Sequence, residues 1–275
     1  MSKPSLQADL QSEFFSDLQF ALRLADAADA ISMERFRAND LVVTIKPDMT
    51  PVSDADRTVE QVIRALIQTE HPEDSVVGEE FGTVGDFRRQ WIIDPIDGTK
   101  NYVRGVPIWA TLIALAVDGV PVLGVVSAPA LGRRWWAAHG EGAWARGDTF
   151  QSGARRLQVS AISAAEDASG SFGSASQWER AGQLEQYLSV SRTLWRTRDY
   201  GDMWPYMMIA EGVLDIAAEF ELFVYDMAAL IPIVTEAGGT FTSIAGEAGP
   251  WHNTALATNG HLHAGMLRAL NSPNS

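Results

Sequence analysis

The sequence predicts an α/β protein, on three observations: two amphipathic helices come first, short apolar strand-like runs follow, and helices and strands alternate towards the end. In residues 14–36 apolar side chains recur at helical spacing, with Phe20, Leu24, Ala27, Ala28 and Ile31 on one face. Residues 39–51 break that helix. A second helix is predicted over 54–69: Val59, Val62, Ile63, Leu66 and Ile67 share a side, and Asp54 and Asp56 stand where a helix N-terminus favours negative charge. His71-Pro72 ends it.

Strand-like runs follow at 75–77, 91–93, 110–117, 120–127 and 134–138, separated by Gly, Pro and Asp turns. Asp118-Gly119 marks a hairpin, because this pair tolerates the positive backbone angles of a two-residue turn. A partly antiparallel sheet packed on two helices is predicted for this half. The Gly- and Ser-rich stretch 147–176 suggests a boundary, giving units 1–152 and 153–275, with a strand at 157–160 inside the stretch. Beyond it the pattern predicts helices near 177–189, 202–212 and 226–237, a strand in 239–244 and a last helix at 261–270. Trp135, Trp136 and Trp144 read as core packing, and His71, His139, His252, His261 and His263 mostly as surface or capping residues.

Composition bounds the function. The chain has 275 residues, 46% of them hydrophobic, enough for one large domain or two that share a core. It has no cysteine, which excludes disulfides, thiolate nucleophiles and cysteine-ligated metal and leaves carboxylates and histidines as ligands. The net charge of -14 argues against a nucleic-acid partner. The first ten residues lack the apolar stretch of a signal peptide, and the apolar runs at 110–117 and 120–130 are too short to span a bilayer, so no membrane partner and a cytoplasmic setting are expected.

The chemistry concentrates in Trp91-Ile92-Ile93-Asp94-Pro95-Ile96-Asp97-Gly98-Thr99-Lys100. Five acidic positions stand at ends of apolar elements: Asp54, Glu79-Glu80, Asp94, Asp97 and Asp226. A hard divalent cation prefers such oxygen ligands and removes the repulsion that otherwise penalises the cluster. Asp94, Asp97 and the Ile96 carbonyl can reach one ion from a turn, while Gly98 and Thr99 offer backbone N–H groups to an anion beside it. Taken singly, each signal has a plainer reading: Asp-x-x-Asp fits a solvated turn, and Tyr225-Asp226 before a helix fits an N-cap.

Together these motifs resemble the Mg²⁺-dependent, lithium-sensitive phosphatase superfamily that includes inositol monophosphatase. Asp94-Pro95-Ile96-Asp97-Gly98-Thr99 matches its first motif, Tyr225-Asp226-Met227-Ala228-Ala229 through Gly238-Gly239 its second, and Gly78-Glu79-Glu80 and Thr50 to Asp54 two further elements. The resemblance implies a layered α/β/α/β/α sandwich, a homodimer, a small phosphorylated substrate and two to three Mg²⁺ ions, with Mn²⁺ as a substitute and Li⁺ inhibitory. Glu79, Asp94 and the Ile96 carbonyl would hold the first ion, and Asp94, Asp97 and Asp226 the second. A third would sit on Glu79, with Asp54 through water. Thr99 and Glu79 would orient and deprotonate the attacking water, and the Gly98 and Thr99 amides would hold the phosphate. Lys46 would either touch phosphate or neutralise the cluster.

Within the family the chain is most similar to the bacterial branch acting on histidinol phosphate. Asn101-Tyr102-Val103-Arg104 departs from the inositol enzymes at Arg104, and Asp202 stands where those enzymes carry a small residue. Asp202 either caps the helix it opens or, with Glu219, faces a substrate ammonium. Asn101, Arg104 and Trp109 would shape the imidazole end, or in the case of Trp109 simply pack. The alternative substrates are inositol 1-phosphate or other sugar-alcohol monophosphates. A non-catalytic relative would have lost metal ligands, and the group Arg192, Arg196 and Arg198 has no assigned role.

Overall fold

The computed structural model describes residues 13–47, 49–85, 88–147 and 153–272. The N-terminal stretch read for a signal peptide, and position 152 at the expected boundary, lie outside the described residues. Helices α1 (Phe15–Arg35) and α2 (Asp54–Glu70) flank a hairpin of β1 (Val43–Ile45) and β2 (Pro51–Ser53). A capping box starts α2: the Ser53 side chain accepts the Ala55 N–H, and Asp56 Oδ2 accepts the Ser53 N–H at 2.8 Å and its hydroxyl at 2.6 Å.

β3 (Ser75–Gly78), β4 (Gly82–Val84), β5 (Arg89–Asp97), the short helix α3 (Thr99–Val103), β6 (Ala110–Val117), β7 (Val120–Ala128), β8 (Arg133–Ala138), β9 (Gly142–Arg146) and β10 (Arg155–Arg156) follow. Their strands form an eight-stranded sheet in the order β10-β9-β8-β7-β6-β5-β3-β4, with β3 and β5 parallel. The remaining chain runs β11 (Ser169–Ser171), α4 (Ala175–Arg180), α5 (Leu184–Thr193), β12 (Arg196–Thr197), α6 (Trp204–Ala210), β13 (Ile216–Phe220), α7 (Val224–Met227), α8 (Leu230–Glu236), β14 (Thr240–Thr242), β15 (Thr254–Thr258) and α9 (His263–Leu270). It supplies a five-stranded sheet ordered β12-β11-β13-β15-β14.

Alternation along the strands sorts these elements into five layers. On β5, Trp91 and Ile93 point towards α1 and α2 and pack with Phe20, Leu24, Val59 and Ile63. Ile92 points the other way, into a core shared with Tyr206 and Met207 of α6, Leu230 and Ile233 of α8, and Ala217, Ala255 and Ala257 of the second sheet. Ile216, Ala218 and Leu256 face outward onto Trp178, Val190 and Met266 of α4, α5 and α9. The result is the α/β/α/β/α sandwich. Both halves of the chain contribute to the middle core, and β10 of the first sheet lies beyond residue 152.

Several local expectations change. The helix expected over 226–237 is two helices, because Pro232 lacks an N–H and its ring collides with the carbonyl four residues back, at Ala228. The helix expected at 177–189 is also two, α4 and α5. The strand expected at 157–160 is irregular: Leu157 still bonds to the Ala143 carbonyl, but Val159 donates to Ala237 at the end of α8, so the chain leaves the sheet. β11, β13 and β15 escape the sequence pattern because they are buried on both faces and built from small residues, so the polar–apolar contrast is missing. His263 is a core residue rather than a surface one, 7% exposed and set between the Thr242 and Thr258 hydroxyls. Among the described residues no helix is long and apolar enough to cross a membrane.

Candidate active site

The sequence predicts a strand over 91–93 followed by a turn, yet β5 continues to Asp97. Pro95 has no N–H for the ladder, and the register with β6 shifts between Asp94 and Asp97. Ile96 N–H donates instead to Asp94 Oδ1 at 3.0 Å, and the Thr111 hydroxyl donates to the Pro95 carbonyl at 2.8 Å. In a regular strand, residues three apart point to opposite faces. The irregularity brings the Asp94 and Asp97 carboxylates together with that of Asp226, each offering an oxygen within 4.8 Å of the others.

Asp226 arrives from the far half of the chain. Its Oδ2 accepts the Phe223 N–H at 2.7 Å, so it caps α7 and also belongs to the cluster. Asp97 Oδ2 accepts the Met203 N–H at 2.7 Å. Burial foremost, then Glu79, Asp97 and Asp226, hold the Asp94 carboxyl well above the usual range. Burial, Asp202 and Asp226 do the same to Asp97, and burial pushes Asp226 up to about 6. Three crowded carboxylates with raised affinity for protons are a donor set in want of a cation. Their all-oxygen chemistry fits a hard divalent ion.

Glu79 follows β3 and lines the same cavity, which measures about 320 Å³. Lys46, from the loop between β1 and β2, places Nζ 2.7 Å from Glu79 Oε1 and 2.6 Å from Glu80 Oε1. Lys46 therefore neutralises these glutamates. Burial still pushes Glu79 up to about 7 against that contact. The Glu79–Phe81 turn is fixed from below by buried Glu60, which accepts the N–H groups of Glu80 at 2.7 Å and Phe81 at 3.2 Å. Any Cβ on Gly78 would stand 2.1 Å from Glu60 Oε1, so a side chain there would push Glu60 off the turn it holds.

Thr99 opens α3 after Gly98, which sits at φ +86° in the left-handed region. The Thr99 hydroxyl lies 3.1 Å from Asp56 Oδ1 and 3.0 Å from the Ile96 carbonyl. Sequence reasoning noticed Asp56 only as a helix-start charge. The signal for it was the Ser53-x-x-Asp56 spacing of a capping box, in which the acidic side chain is held in place. Asp54 is placed elsewhere: its Oδ2 pairs with Arg35 at 2.7 Å and it does not line the cavity.

The opposite wall holds Asp202 and Glu219. Asp202 does not cap α6, whose N-cap is Met203; it stands before the helix at φ +53°, with Oδ2 accepting from Asn101 Nδ2 at 2.9 Å. A non-glycine residue in this conformation stores strain, and such strain gathers at functional sites. Burial pushes Asp202 up to about 6, against Lys100. Glu219, on β13, is pushed up to about 8 by burial, then Asp202 and Asp226, and its Oε1 has no hydrogen-bond partner among the described residues. Lys100, Phe223 and Tyr225 also line the cavity, a role the sequence reading assigns to none of them. Arg104 is exposed at the end of α3, outside the cavity lining. Trp109 is wholly buried against Phe36 and Tyr102, so it packs. Arg192, Arg196 and Arg198 are not part of the cavity lining either.

The sequence pattern of the inositol monophosphatase family matches residues 16–274. The histidinol-phosphatase of Streptomyces coelicolor is 56% identical over 263 residues, 94% of this chain and 98% of that protein. That of Mycobacterium tuberculosis is 54% identical over 259 residues, 93% of this chain and 98% of that protein. Among solved structures, an inositol monophosphatase from Zymomonas mobilis has a TM-score of 0.83 at 32% identity, covering 95% of this chain and 100% of its own. The five layers, the carboxylates gathered at the end of β5 and a match that runs from α1 to the last helix have one reading: this chain belongs to the inositol monophosphatase family.

Proposed function

We propose that the protein is a Mg²⁺-dependent phosphomonoesterase that hydrolyses histidinol phosphate to histidinol and phosphate. One observation carries the choice of substrate: the buried, unpartnered Glu219 Oε1 on the same wall as the strained Asp202. A buried acceptor without a donor is costly, and a substrate ammonium brings a positive charge to the acidic pair Asp202 and Glu219 that a neutral hydroxyl does not. The identity of 54 and 56% to two histidinol-phosphatases supports the same choice.

Asp94, Asp97, Asp226, Glu79 and the Ile96 carbonyl would hold the cations. Bound there, Mg²⁺ would neutralise phosphate charge and stabilise the leaving alkoxide. The chain does the rest. The Gly98 and Thr99 amides orient the phosphate oxygens. The single Thr99 proton goes to the Asp56 carboxylate, the stronger acceptor, leaving the Thr99 lone pairs to take a proton from the attacking water. Asp56 is held for this by the N–H and hydroxyl of Ser53. We therefore assign proton transfer to Thr99 and Asp56, and keep Glu79 as a cation ligand.

The test is a comparison of kcat/KM for histidinol phosphate, inositol 1-phosphate and fructose 1,6-bisphosphate under one Mg²⁺ condition, with and without Li⁺. Histidinol phosphate is expected to lead. If inositol 1-phosphate is turned over faster, Glu219 is accepting a ring hydroxyl and the inositol-phosphatase reading replaces this one. We also propose a homodimer, on the family resemblance, and a cytoplasmic setting, on the sequence reading; sedimentation of the purified protein and fractionation of cells check them.

A further inference from the structure

The mouth of the cavity has no part in the chemistry above. Past Glu219 the wall turns at Glu221, whose backbone is left-handed at φ +62° and whose carboxylate is clamped by Arg180 through bonds of 2.6 and 2.7 Å. Leu222 and Phe223 then line the cavity, yet Phe223 keeps 51% of its surface exposed. A large aromatic side chain left in water forgoes much of the burial that would stabilise it. This one is nonetheless held in place. Its ring stacks on Tyr225 at 5.5 Å between centroids and 25° between planes. Its backbone N–H is bonded to Asp226 Oδ2, which places the residue beside the carboxylate cluster. The ring is thus backed by Tyr225, and the residue lines the cavity with half its surface uncovered.

We propose that Phe223 is the platform on which the flat ring of the substrate's alcohol stacks. The phosphate then lies at Gly98 and Thr99, and the ammonium at Asp202 and Glu219. The inference deepens the proposed reaction and rests on it. An imidazole, neutral or protonated, gains from an aromatic face by stacking or by cation–π attraction. An aliphatic polyol has no flat face to offer.

The experiment compares wild type, Phe223→Ala, Phe223→Leu and Phe223→Trp with Mg²⁺ on three esters. Histidinol phosphate has ring and ammonium, 2-phenylethyl phosphate has the ring alone, and 2-aminoethyl phosphate has the ammonium alone. The alanine and leucine variants should raise KM for both ring esters roughly five- to twentyfold, with kcat and the KM for 2-aminoethyl phosphate within about twofold of wild type. Tryptophan should restore the low KM. Leucine is the decisive variant because it keeps apolar bulk without a flat face. Equal changes on all three esters, a leucine variant as good as wild type, or no ring preference in wild type would each overturn the platform. If wild type spares histidinol phosphate but still shows Phe223-dependent KM on 2-phenylethyl phosphate, the substrate assignment falls and the platform stands.

Discussion

The two walls of the cavity are built in opposite ways. The wall around Asp94, Asp97 and Thr99 comes from one continuous stretch, shaped by a proline-induced register shift at a strand end. The wall around Asp202, Glu219 and Phe223 is assembled from a pre-helix residue, a buried strand and a loop before α7. On the proposed reaction the first would hold what every phosphate monoester shares, and the second would meet what differs between alcohols. Changes to the first should therefore harm all substrates alike, and changes to the second should discriminate among them.

The sharpest way to break this division is Asp94→Asn. It removes one charge from the cation set, and kcat should fall by roughly three orders of magnitude for every monoester tested. The ion-free variant should melt at least as high as wild type, because a crowded buried carboxylate has been relieved, and Mg²⁺ should no longer raise its Tm. Calorimetry with and without Mg²⁺ checks both, and a normal Mg²⁺ response would remove Asp94 from the site. Next in size, Asp56→Asn should lower kcat about a hundredfold with little change in KM, again for every ester. A loss confined to one substrate would move Asp56 out of the shared chemistry. Smallest and most selective, Asp202→Asn should raise KM for histidinol phosphate about tenfold and leave inositol 1-phosphate nearly unchanged. Equal effects on the two would erase the distinction between the walls.

The same contrast explains what could be read from sequence. The shared wall was legible because its residues are neighbours along the chain, and a proline between two aspartates is a local signal. Asp226 was legible through its own motif. Asp54 and Asp56 both stand in the first turn of α2 and sequence does not separate them; only the fold shows that Asp54 turns to Arg35 while Asp56 turns to Thr99. Phe223 gives no signal, because an aromatic residue in a short apolar run reads as core until its exposure is known. The strands β13 and β15 were missed for a related reason: with both faces buried, Ala217, Ala218, Ala255 and Ala257 show no alternation to detect. The helix pair α1 and α2, with one wet face each, was plain throughout.

Asp226 has a consequence in time as well as in space. The proposed cation set includes a carboxylate from residue 226 of a 275-residue chain, so a growing chain that already holds β5 still lacks it. Until α7 has docked, Asp94 and Asp97 face each other without their third member or the buried core that fixes its approach. An ion can thus be held by the complete set only after nearly the whole sequence has been synthesised and packed. Filling of the complete ion set would report completion of the fold, and a chain truncated before residue 226, left with Glu79, Asp94 and the Ile96 carbonyl, should show a smaller Mg²⁺-dependent gain in stability than the full chain.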